Sequence, residues 1–578
     1  MKKRLLLLPF ISLFALSSCA FLDDFFDRDE PNTNQNDDNE EENKPSNPED
    51  TDTDTKTSTT KIGEFYGGVV DGGDFVGYEF SKSTESISKP TTGVGTVDIY
   101  SFNDFHGAVV DQTVDGSHEP GLKTLGTFYK NKSQLKNTLV FDQGDTWQGS
   151  LESNYNYGAI VQDVFNYAGV SLRTVGNHDF DWGLSHLQST IDRKIEDDYI
   201  PCLASNVYNF ENGHSGNKQQ SQYGKEYATF VMDNGIKVGV VGVIGESQIT
   251  SISSQLVQTV TFTNYVSKIK EVSDFLRTEK DCDIIIASTH EGSGDAYDKE
   301  ASAPAITTIS PVSNKRYVDL VLGGHSHYYQ NYENNGVKFV QWASNGVNSG
   351  LVTLKYDFAN NEVIDNETSI SSYNANTYSN HFDQIDPVID KMVDDYIDNL
   401  PIDPNEELAT FSGSWGQDNL SRLMAEAIYE RVKDEYDVDF AMTNICRSGF
   451  EGSIMTYHDL YKSFPFDNEI VIFDISTQQA MSEFDFSTNY AYKKDPAVDP
   501  VFGNTYKIAV IDYLGLHQNA SKTYNYFPEA AGEKTFFNDT DKEVLTFRDI
   551  LYDYLKSDPD KTFSVTNYTY SDNSHFYR

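Results

Sequence analysis

The chain lacks the features that define several common protein classes. Only 4 of its 578 residues are cysteines. Apart from Cys19 these are Cys202, Cys282 and Cys446, whose isolation indicates neither a disulfide framework nor a thiolate zinc site. Basic residues are also scarce, with 44 against 89 acidic ones and a formal net charge of −45. Because no basic patch could displace counterions, we expect no nucleic-acid polymer as partner. A small phosphorylated ligand is compatible with this charge if metal ions or local arginines supply positive charge.

The chain also has no apolar run of the length that spans a bilayer. At the N-terminus, basic residues at 2–4 precede a short apolar stretch at 5–16, which is typical of an export signal. Leu-Ser-Ser-Cys at 16–19 resembles the cleavage site of a bacterial lipoprotein. We therefore expect a signal peptide over 1–18, a lipid on Cys19, and anchorage at the extracellular face of the bacterial cell membrane. The alternative is an ordinary signal peptide with an incidental cysteine.

Composition divides the remaining chain into four segments. Residues 19–95 are expected to form a disordered acidic tether and a short leader, because the acidic stretch has too few aliphatic side chains to build a core. Residues 376–404 carry a helical pattern interpreted as a linker helix, and residues 405–578 form a second α/β region rich in Tyr and Phe. In residues 96–375, helical patterns alternate with Val/Ile/Leu runs at 97–102, 137–142, 237–245, 283–289 and 318–324. That alternation predicts an α/β layered fold with strands buried on both faces.

Metal-binding residue types follow these predicted strands. They are Asp104 and His106, Asp145, Asn177 and His178, His290, and His325 and His327. Because ligands bind beyond the carboxyl ends of strands in α/β sheets, we expect these side chains to converge. The i,i+2 pairs Asp104/His106 and His325/His327 would project to one side of an extended segment, so that each pair grips one centre. Even seven oxygen and nitrogen ligands from this set, without thiolate, suit divalent Zn, Mn, Fe or Co and exceed the need of one ion, which favours two ions sharing a carboxylate.

The order of the blocks "NDFHG", "GDTWQGS", "GNHDFDWG", "TH" and "GGHSH" resembles that of the calcineurin-like metallophosphoesterases, specifically the bacterial and extracellular 5′-nucleotidase family. The resemblance covers roughly residues 96–560. It implies a four-layer metallophosphoesterase β-sandwich flanked by helices, followed by a C-terminal α/β substrate-specificity domain. It further implies two divalent metal ions, Zn, Mn or similar, one held by Asp104, His106, Asp145 and His327, and the other by Asp145, Asn177, His290 and His325.

The same resemblance assigns the catalytic pair and the substrate contacts. His178 would be the catalytic histidine, and Asp181 would orient it. In the second region, "TNICRSGF" at 443–450 and the Pro-Phe block at 461–476 imply substrate binding by Asn444, Arg447, Phe466 and Tyr513, with the two aromatic rings stacking on a nucleobase. This chain departs from the family pattern by lacking an arginine before "GQDNLSRLMAEAI" and the Gly-Gly-Asp after Tyr513. Arg422 or Arg447 would have to replace that arginine.

These features predict an extracellular metal-dependent phosphohydrolase, namely a 5′-nucleotidase that dephosphorylates nucleoside monophosphates with a dinuclear centre. Within the enzyme class, the alternatives are a 2′,3′-cyclic-nucleotide phosphodiesterase and a UDP-sugar hydrolase, which would differ mainly in the second region. An alternative of another class is a non-catalytic surface binding or adhesion lipoprotein on the same fold. The expected partners are a nucleotide or another small phosphate ester and, through the lipid, the membrane. The sequence gives no oligomeric state.

Overall fold

The computed structural model describes residues 60–62, 65–114, 116–195, 198–210, 218–220, 223–292, 306–477, 490–494, 501, 503–516, 527, 534–537 and 545–568. The predicted signal peptide, Cys19 and the tether as far as residue 59 lie outside the described residues. Within the described part, no helix combines the length and apolar character needed to cross a membrane. All described residues belong to one unit, residues 58–578.

Two mixed sheets form the centre of the first region. Its strands are β1 (Thr60–Ile62), β2 (Phe65–Asp71), β3 (Val76–Ser81), β4 (Val94–Phe102), β5 (Asp111–Val114), β6 (Ser117–Pro120), β7 (Thr138–Asp142), β8 (Leu172–Thr174), β9 (Cys202–Leu203), β10 (Val207–Phe210), β11 (Lys218–Gln220), β12 (Tyr227–Val231), β13 (Lys237–Ile244), β14 (Val260–Phe262), β15 (Ile284–His290), β16 (Leu320–Gly323), β17 (Gln330–Asn334), β18 (Val337–Gln341), β19 (Asn348–Asp357), β20 (Glu362–Val363) and β21 (Ser369–Asn374). The first sheet has the order β1-β2-β3-β12-β13-β15-β16-β18-β17, and the second has the order β20-β19-β4-β7-β8-β9, with β21 pairing with β19. Two small sheets, β11-β10-β14 and the hairpin β5-β6, are not paired with the two large sheets.

Helices cover the outer faces of the two large sheets. The α-helices of the first region are α1 (Gly121–Ser133), α2 (Leu151–Asn154), α3 (Ala159–Ala168), α4 (Leu184–Ile191), α5 (Tyr265–Thr278) and α6 (Pro387–Asp398), and short 3-10 turns occur at His178–Phe180, Glu246–Ser251, Asp365–Glu367 and Tyr378–His381. The apolar side chains of α1 and α3 join one core cluster with the second sheet, and those of α5 join another with the first sheet.

Strand β4 shows why the predicted apolar runs are continuous rather than alternating. Its residues Val97 and Ile99 face the other sheet in the central core, whereas Tyr100 and Phe102 face the helices on the outside. Both faces of such a strand are buried, so each position favours an apolar side chain. The helix–sheet–sheet–helix layering confirms the α/β architecture expected from the sequence.

The predicted linker helix is part of the first region's packing. Asp386 caps α6 by accepting hydrogen bonds from the backbone N–H groups of Val388 (2.9 Å) and Ile389 (3.2 Å), and Pro387 occupies its first turn. Ile389 and Val393 are buried in the same cluster as α1 and α3. The helix is therefore docked over twelve residues, Pro387–Asp398, within the predicted segment 376–404.

The second region has its own sheets and its own core. Its strands are β22 (Glu407–Ser412), β23 (Phe440–Asn444), β24 (Ile454–Thr456), β25 (Ile470–Ser476), β26 (Tyr490–Lys494), β27 (Thr505–Ile511), β28 (Thr535–Phe536) and β29 (Thr562–Ser564), and its helices are α7 (Gln417–Tyr436), α8 (Tyr457–Ser463), α9 (Asp512–Gly515), α10 (Phe547–Lys556) and a 3-10 turn at Val565–Asn567. The sheets have the orders β26-β23-β27-β25-β28 and β24-β22-β29. Leu151 of α2 packs into this core and thus joins the two regions.

Candidate metal centre

The predicted ligands lie where strands of both large sheets end. Strands β4, β7 and β8 are parallel neighbours in the second sheet, so their carboxyl ends share one edge. Strands β15 and β16 are parallel neighbours in the first sheet and end nearby. The site is therefore formed by strand ends of both sheets and not of one sheet. The strand patterns alone did not specify this arrangement.

Six of the seven predicted ligands form two groups of three. Within each group the ligand atoms lie within 4.8 Å of one another. The first group is Asp104, His106 and His327, and the second is Asp145, His290 and His325. The seventh, Asn177, places its Oδ1 3.1 Å from Nε2 of His290 and 3.0 Å from Nδ1 of His325. The Oδ2 atom of Asp145 lies 3.2 Å from Nε2 of His290 and 3.9 Å from Nε2 of His106. Asp145 thus faces both groups.

The i,i+2 spacing does not predict correctly how His325 and His327 are grouped. An extended segment would have placed both imidazoles at one centre, but the structure puts His325 in the second group and His327 in the first. The backbone φ angles are 77° at His325 and 63° at His327, so the segment is left-handed and not extended. The family resemblance implied different groups for His325 and His327, which agrees with this separation.

The donor atoms fit divalent cations. Nδ1 of His106 donates to the backbone carbonyl of Gln148 (2.9 Å), and Nδ1 of His290 donates to that of Gln143 (2.7 Å). These hydrogen bonds place a proton on each Nδ1 and turn each Nε2 toward the other ligands, as in protein metal sites. Oδ2 of Asp145 is buried and makes no well-aligned hydrogen bond, although Nε2 of His290 lies 3.2 Å away. A buried carboxylate oxygen aimed between two imidazole groups is explained by a cation.

The backbone at this site is strained. Five ligand residues have a left-handed backbone: Asp104 (φ 51°), His106 (50°), Asp145 (54°), His325 (77°) and His327 (63°). Such conformations cost non-glycine residues about 1–3 kcal/mol each and persist where the surroundings enforce them. Here the N–H of His106 donates to the carbonyl of Asp145 (2.9 Å), and the N–H of His325 donates to the carboxylate of Asp104 (2.8 Å). Hydrogen bonds within the protein thus hold these loops in place.

Protonation at the site largely favours metal binding. Burial alone would raise the pKa of Asp104, but the hydrogen bond and charge of His327 hold it at about 2. Burial and the charge of His290 lower the pKa of His325 to about 4. Ionised carboxylates and neutral imidazoles are the states that ligate cations. His290 differs from these residues. Burial opposes its charge, but Asp145 raises its pKa to about 10. Metal binding at His290 must therefore displace a proton.

His178 stands beside the two groups but belongs to neither. Its Nδ1 lies 2.7 Å from Oδ2 of Asp181, and each of these side chains is only 15% exposed. Burial lowers the pKa of His178, but the charges of Asp181 and Asp145 raise it above its usual range. The arrangement holds an imidazole with Nδ1 protonated and Nε2 turned toward the site, which suits proton transfer or charge stabilisation.

Asp179 lies outside both groups and clamps two ligand-bearing loops. Its Oδ1 accepts a hydrogen bond from the N–H of Thr146 (3.0 Å), and its Oδ2 accepts one from the N–H of Gly176 (2.8 Å). Gly176 can carry no side chain here, because a Cβ atom would lie 2.2 Å from Oδ1 of Asp145. The loops that carry Asp145 and Asn177 are therefore fixed against each other by one buried carboxylate.

Two substrate residues predicted in the second region reach this centre. A guanidinium nitrogen of Arg447 lies 3.2 Å from Nε2 of His178. The ring of Phe466 stacks on His178, with 5.4 Å between centroids and 28° between planes, and the guanidinium of Arg447 lies 5.5 Å from the Phe466 centroid. Phe466 thus covers the imidazole in this structure, and its stacking on a nucleobase stays a prediction.

The other substrate predictions have different surroundings. Arg422 donates to the carbonyl of Tyr568 (2.8 Å), so of the two candidate replacement arginines it is Arg447 that approaches the centre. Asn444 ends β23 with its side chain partly buried. Tyr513 lies in α9 and packs against the core of the second region. Substrate binding by Asn444 and Tyr513 remains a prediction.

Sequence reasoning missed a cavity that opens beside the first ligand group. It measures about 260 Å³ and extends from His106 and His327 to α8 in the second region, where His458 and Lys462 line it. The carbonyl of Pro465, beside the cavity, accepts hydrogen bonds from the side-chain amides of Gln148 (3.1 Å) and Asn154 (2.9 Å), which join the two regions. No local motif marks α8 as part of a site, because its residues lie more than 120 positions from the ligands.

Comparison with known proteins agrees with this geometry. Residues 98–329 match the family described as calcineurin-like phosphoesterase. The chain is 22% identical over 456 residues to the endonuclease YhcR of Bacillus subtilis, covering 72% of this chain and 34% of that protein. It is 24% identical over 427 residues to a 5′-nucleotidase of Vibrio parahaemolyticus, covering 66% of this chain and 72% of that protein. The chain thus spans about a third of the length of the first of these relatives.

A solved structure supports the same fold. The 5′-nucleotidase precursor of Thermus thermophilus superposes with a TM-score of 0.65 at 17% identity, covering 81% of this chain and 99% of that one. At that identity the similarity speaks for the fold alone. With the matched segment, the two His/Asp groups and the layered sandwich, residues 98–329 form a calcineurin-like phosphoesterase domain.

Proposed function

We propose that the chain is a metal-dependent phosphohydrolase that acts as a 5′-nucleotidase on nucleoside monophosphates. The observation that carries the proposal is the pair of His/Asp groups that Asp145 faces with one buried carboxylate oxygen, beside the His178–Asp181 pair. The name of the Vibrio relative supports the choice of nucleotides. The net charge of −45 argues against a nucleic-acid polymer as substrate, although another relative is named an endonuclease.

Two divalent cations complete the proposed centre. Asp104, His106, Asp145 and His327 would hold one, and Asp145, Asn177, His290 and His325 would hold the other. When bound, such a pair places positive charge at the phosphoryl oxygens and lowers the pKa of water, so that hydrolysis needs no covalent intermediate on the protein.

Side chains of the protein bind the substrate and transfer the proton. Asp181 keeps the Nδ1 proton of His178 in place and stabilises the imidazolium. Nε2 of His178 can then pass a proton to the departing alkoxide. Arg447, which meets that Nε2 in this structure, offers donors to the phosphoryl oxygens and replaces the arginine missing before α7. Phe466 would turn from His178 to a nucleobase.

A panel of phosphate esters tests the proposal. The full chain is assayed with Mn²⁺, Zn²⁺ or Mg²⁺ against AMP, 2′,3′-cyclic AMP and UDP-glucose, and its metal content is measured. We expect phosphate release from AMP to be fastest, to stop with a chelator and to return with metal, at about two ions per chain. Faster turnover of one of the other esters would select that activity instead. Two bound ions without hydrolysis of any ester would favour the non-catalytic binding protein.

The proposed location is the extracellular face of the cell membrane, through a lipid on Cys19. The support is the N-terminal sequence alone, since this segment lies outside the described residues. Cys19→Ser should move the chain from the membrane fraction to the soluble fraction of expressing cells. An unchanged membrane fraction would show that another element retains the chain.

A further inference from the structure

The end of strand β18 lies beside the loop that carries His327. Strand β18 runs parallel to β16 with Gln341 opposite Gly323, so the loop after β16 begins next to the last residue of β18. The side chain of Gln341 is completely buried. Its Nε2 lies 2.6 Å from Oγ of Ser326 and donates to the backbone carbonyl of Tyr328 (2.9 Å). Gln341 therefore contacts the residues on both sides of His327.

The chemistry of the partners fixes the orientation of the Gln341 amide. A backbone carbonyl only accepts hydrogen bonds, so the amide nitrogen and not the oxygen faces Tyr328. That nitrogen carries two protons and satisfies both partners. Between these partners, His327 has a left-handed backbone with a φ of 63°, and its side chain is 31% exposed. A partly exposed imidazole on a strained loop depends on such bonds for its position.

The residue after Gln341 supports a second ligand of the first group. The backbone N–H of Trp342 donates to Oδ1 of Asn103 (2.8 Å), and its carbonyl accepts from Nδ2 of Asn103 (2.9 Å). The same Nδ2 donates to Oδ2 of Asp104 (2.6 Å). The indole ring of Trp342 also stacks with Tyr329, with 5.4 Å between centroids. The segment that ends β18 thus supports both Asp104 and the loop of His327.

The second group has supports of its own. The carbonyl of Gln143 accepts from Nδ1 of His290 (2.7 Å), and Asp179 joins the loops that follow β7 and β8. The backbone N–H of His325 donates to the carboxylate of Asp104 (2.8 Å). Loss of the Gln341 contacts should therefore disturb the first group more than the second.

We propose that Gln341 is a positioning residue that sets the affinity of the first metal position, the one formed by Asp104, His106, Asp145 and His327. The inference rests on the proposed function, because it requires that the centre hold two cations. Hydrogen-bond partners behind metal ligands change metal affinity by about 10–100-fold. Gln341 acts on the backbone that carries a ligand and not on the imidazole itself, so we expect the lower end, about tenfold.

Calorimetric titration of the full chain with Mn²⁺, without substrate, tests the proposal. Gln341→Met keeps the approximate size of the side chain and removes both donated hydrogen bonds. It should weaken binding of one ion about tenfold and leave the other unchanged. Asn234→Leu is the matched control, because the amide of Asn234 also donates to a backbone carbonyl, that of Thr96 (2.8 Å), near the opposite end of β4 from Asp104. Both ions should bind to this control as they bind to the wild type.

Two ligand variants show which position is weakened. His327→Ala removes a ligand of the first group, and His290→Ala removes one of the second. Adding Gln341→Met to His327→Ala should change little, because the position on which Gln341 acts is already lost. Adding it to His290→Ala should weaken the remaining ion about tenfold. Equal effects in the two backgrounds would overturn the proposal, since they would indicate a general loss of structure.

Ser326→Ala is a milder variant that leaves β18 unchanged and removes one acceptor of Gln341. It should weaken the first ion about threefold, as expected for one hydrogen bond. An unchanged first ion in Ser326→Ala would overturn the proposal even if Gln341→Met did not fold.

Phosphate release from AMP separates this inference from the proposed function. Two bound ions with the expected effect of Gln341→Met, but no hydrolysis, would reject the proposed activity and keep the role of Gln341. Hydrolysis by the wild type, together with an unchanged first ion in Gln341→Met, would reject the role of Gln341 and keep the activity.

Discussion

Replacing His178 by alanine should abolish most turnover without emptying the metal centre. The side chain lies outside both ligand groups, and its ring centroid is 5.5 Å from that of His106. Its hydrogen bond to a ligand is made by the backbone N–H, which donates to Oδ1 of Asp145 (2.7 Å). Alanine keeps that N–H. Metal content should therefore stay unchanged in His178→Ala.

The expected loss follows from the geometry of the imidazole. A positioned general acid contributes about 10²–10⁴-fold to the rate, which corresponds to about 2.7–5.4 kcal/mol. We expect the upper half of this range, because Asp181 contacts Nδ1 at 2.7 Å and, with Asp145, raises the pKa of His178 against the effect of burial. The imidazole therefore keeps its proton to higher pH than a free histidine does.

The assay is steady-state phosphate release at saturating AMP and metal, paired with metal analysis of each variant. Asp181→Asn keeps the shape of the partner of His178 but removes its charge. We therefore expect this variant to lose less activity than His178→Ala. We also expect the rate to fall at a lower pH on the basic side of its pH profile. A loss in His178→Ala of less than tenfold would refute the proton-transfer role. A loss of metal together with activity would show that His178 acts through the centre instead.

Two further predictions concern stability. Asp179→Asn should lower the free energy of unfolding by about 1–3 kcal/mol. The reason is that an amide offers one acceptor oxygen to the two loop N–H groups that the carboxylate now satisfies. An unchanged denaturant midpoint would contradict the role of Asp179 in holding the two loops together. For the Glu152–His458 pair, burial opposes both charges, but the mutual hydrogen bond lowers the pKa of Glu152 and raises that of His458. The contribution of Glu152 is complete above about pH 4.5 and lost as pH falls through its lowered pKa, while that of His458 is complete below about pH 6.5 and lost as pH rises through its raised pKa. His458→Gln should therefore destabilise the chain most between these values, and a cost that grows toward pH 9 would contradict the pairing.

The sequence predicted much of the site because the relevant information is local. A β-strand buried on both faces is recognisable from a short apolar run, as in 284–290, and the residue that ends it is fixed by the same run. The side chains at such strand ends must lie at one edge of a sheet. Because the ligand-bearing edges of the two sheets also meet, all seven predicted ligands converge in the structure. The α/β class follows from the same runs.

The spacing argument failed where backbone conformation, not residue order, decides direction. His325 and His327 are two positions apart, but their left-handed φ angles send the imidazoles to different groups. A sequence pattern records the separation of two residues and not their backbone dihedral angles, which here are enforced by hydrogen bonds from distant loops. The N–H of His325, for example, is held by the carboxylate of Asp104.

By itself the sequence predicted the layered fold and the side chains that meet beyond the strand ends, since both depend on a strand and the loop directly after it. Only the tertiary structure decided that Asp145 faces both groups, that Arg447 rather than Arg422 approaches the centre, and that α8 closes a cavity over the ligands. These are contacts between segments tens to hundreds of residues apart. They depend on how the sheets and the second region pack, and no local periodicity encodes that packing.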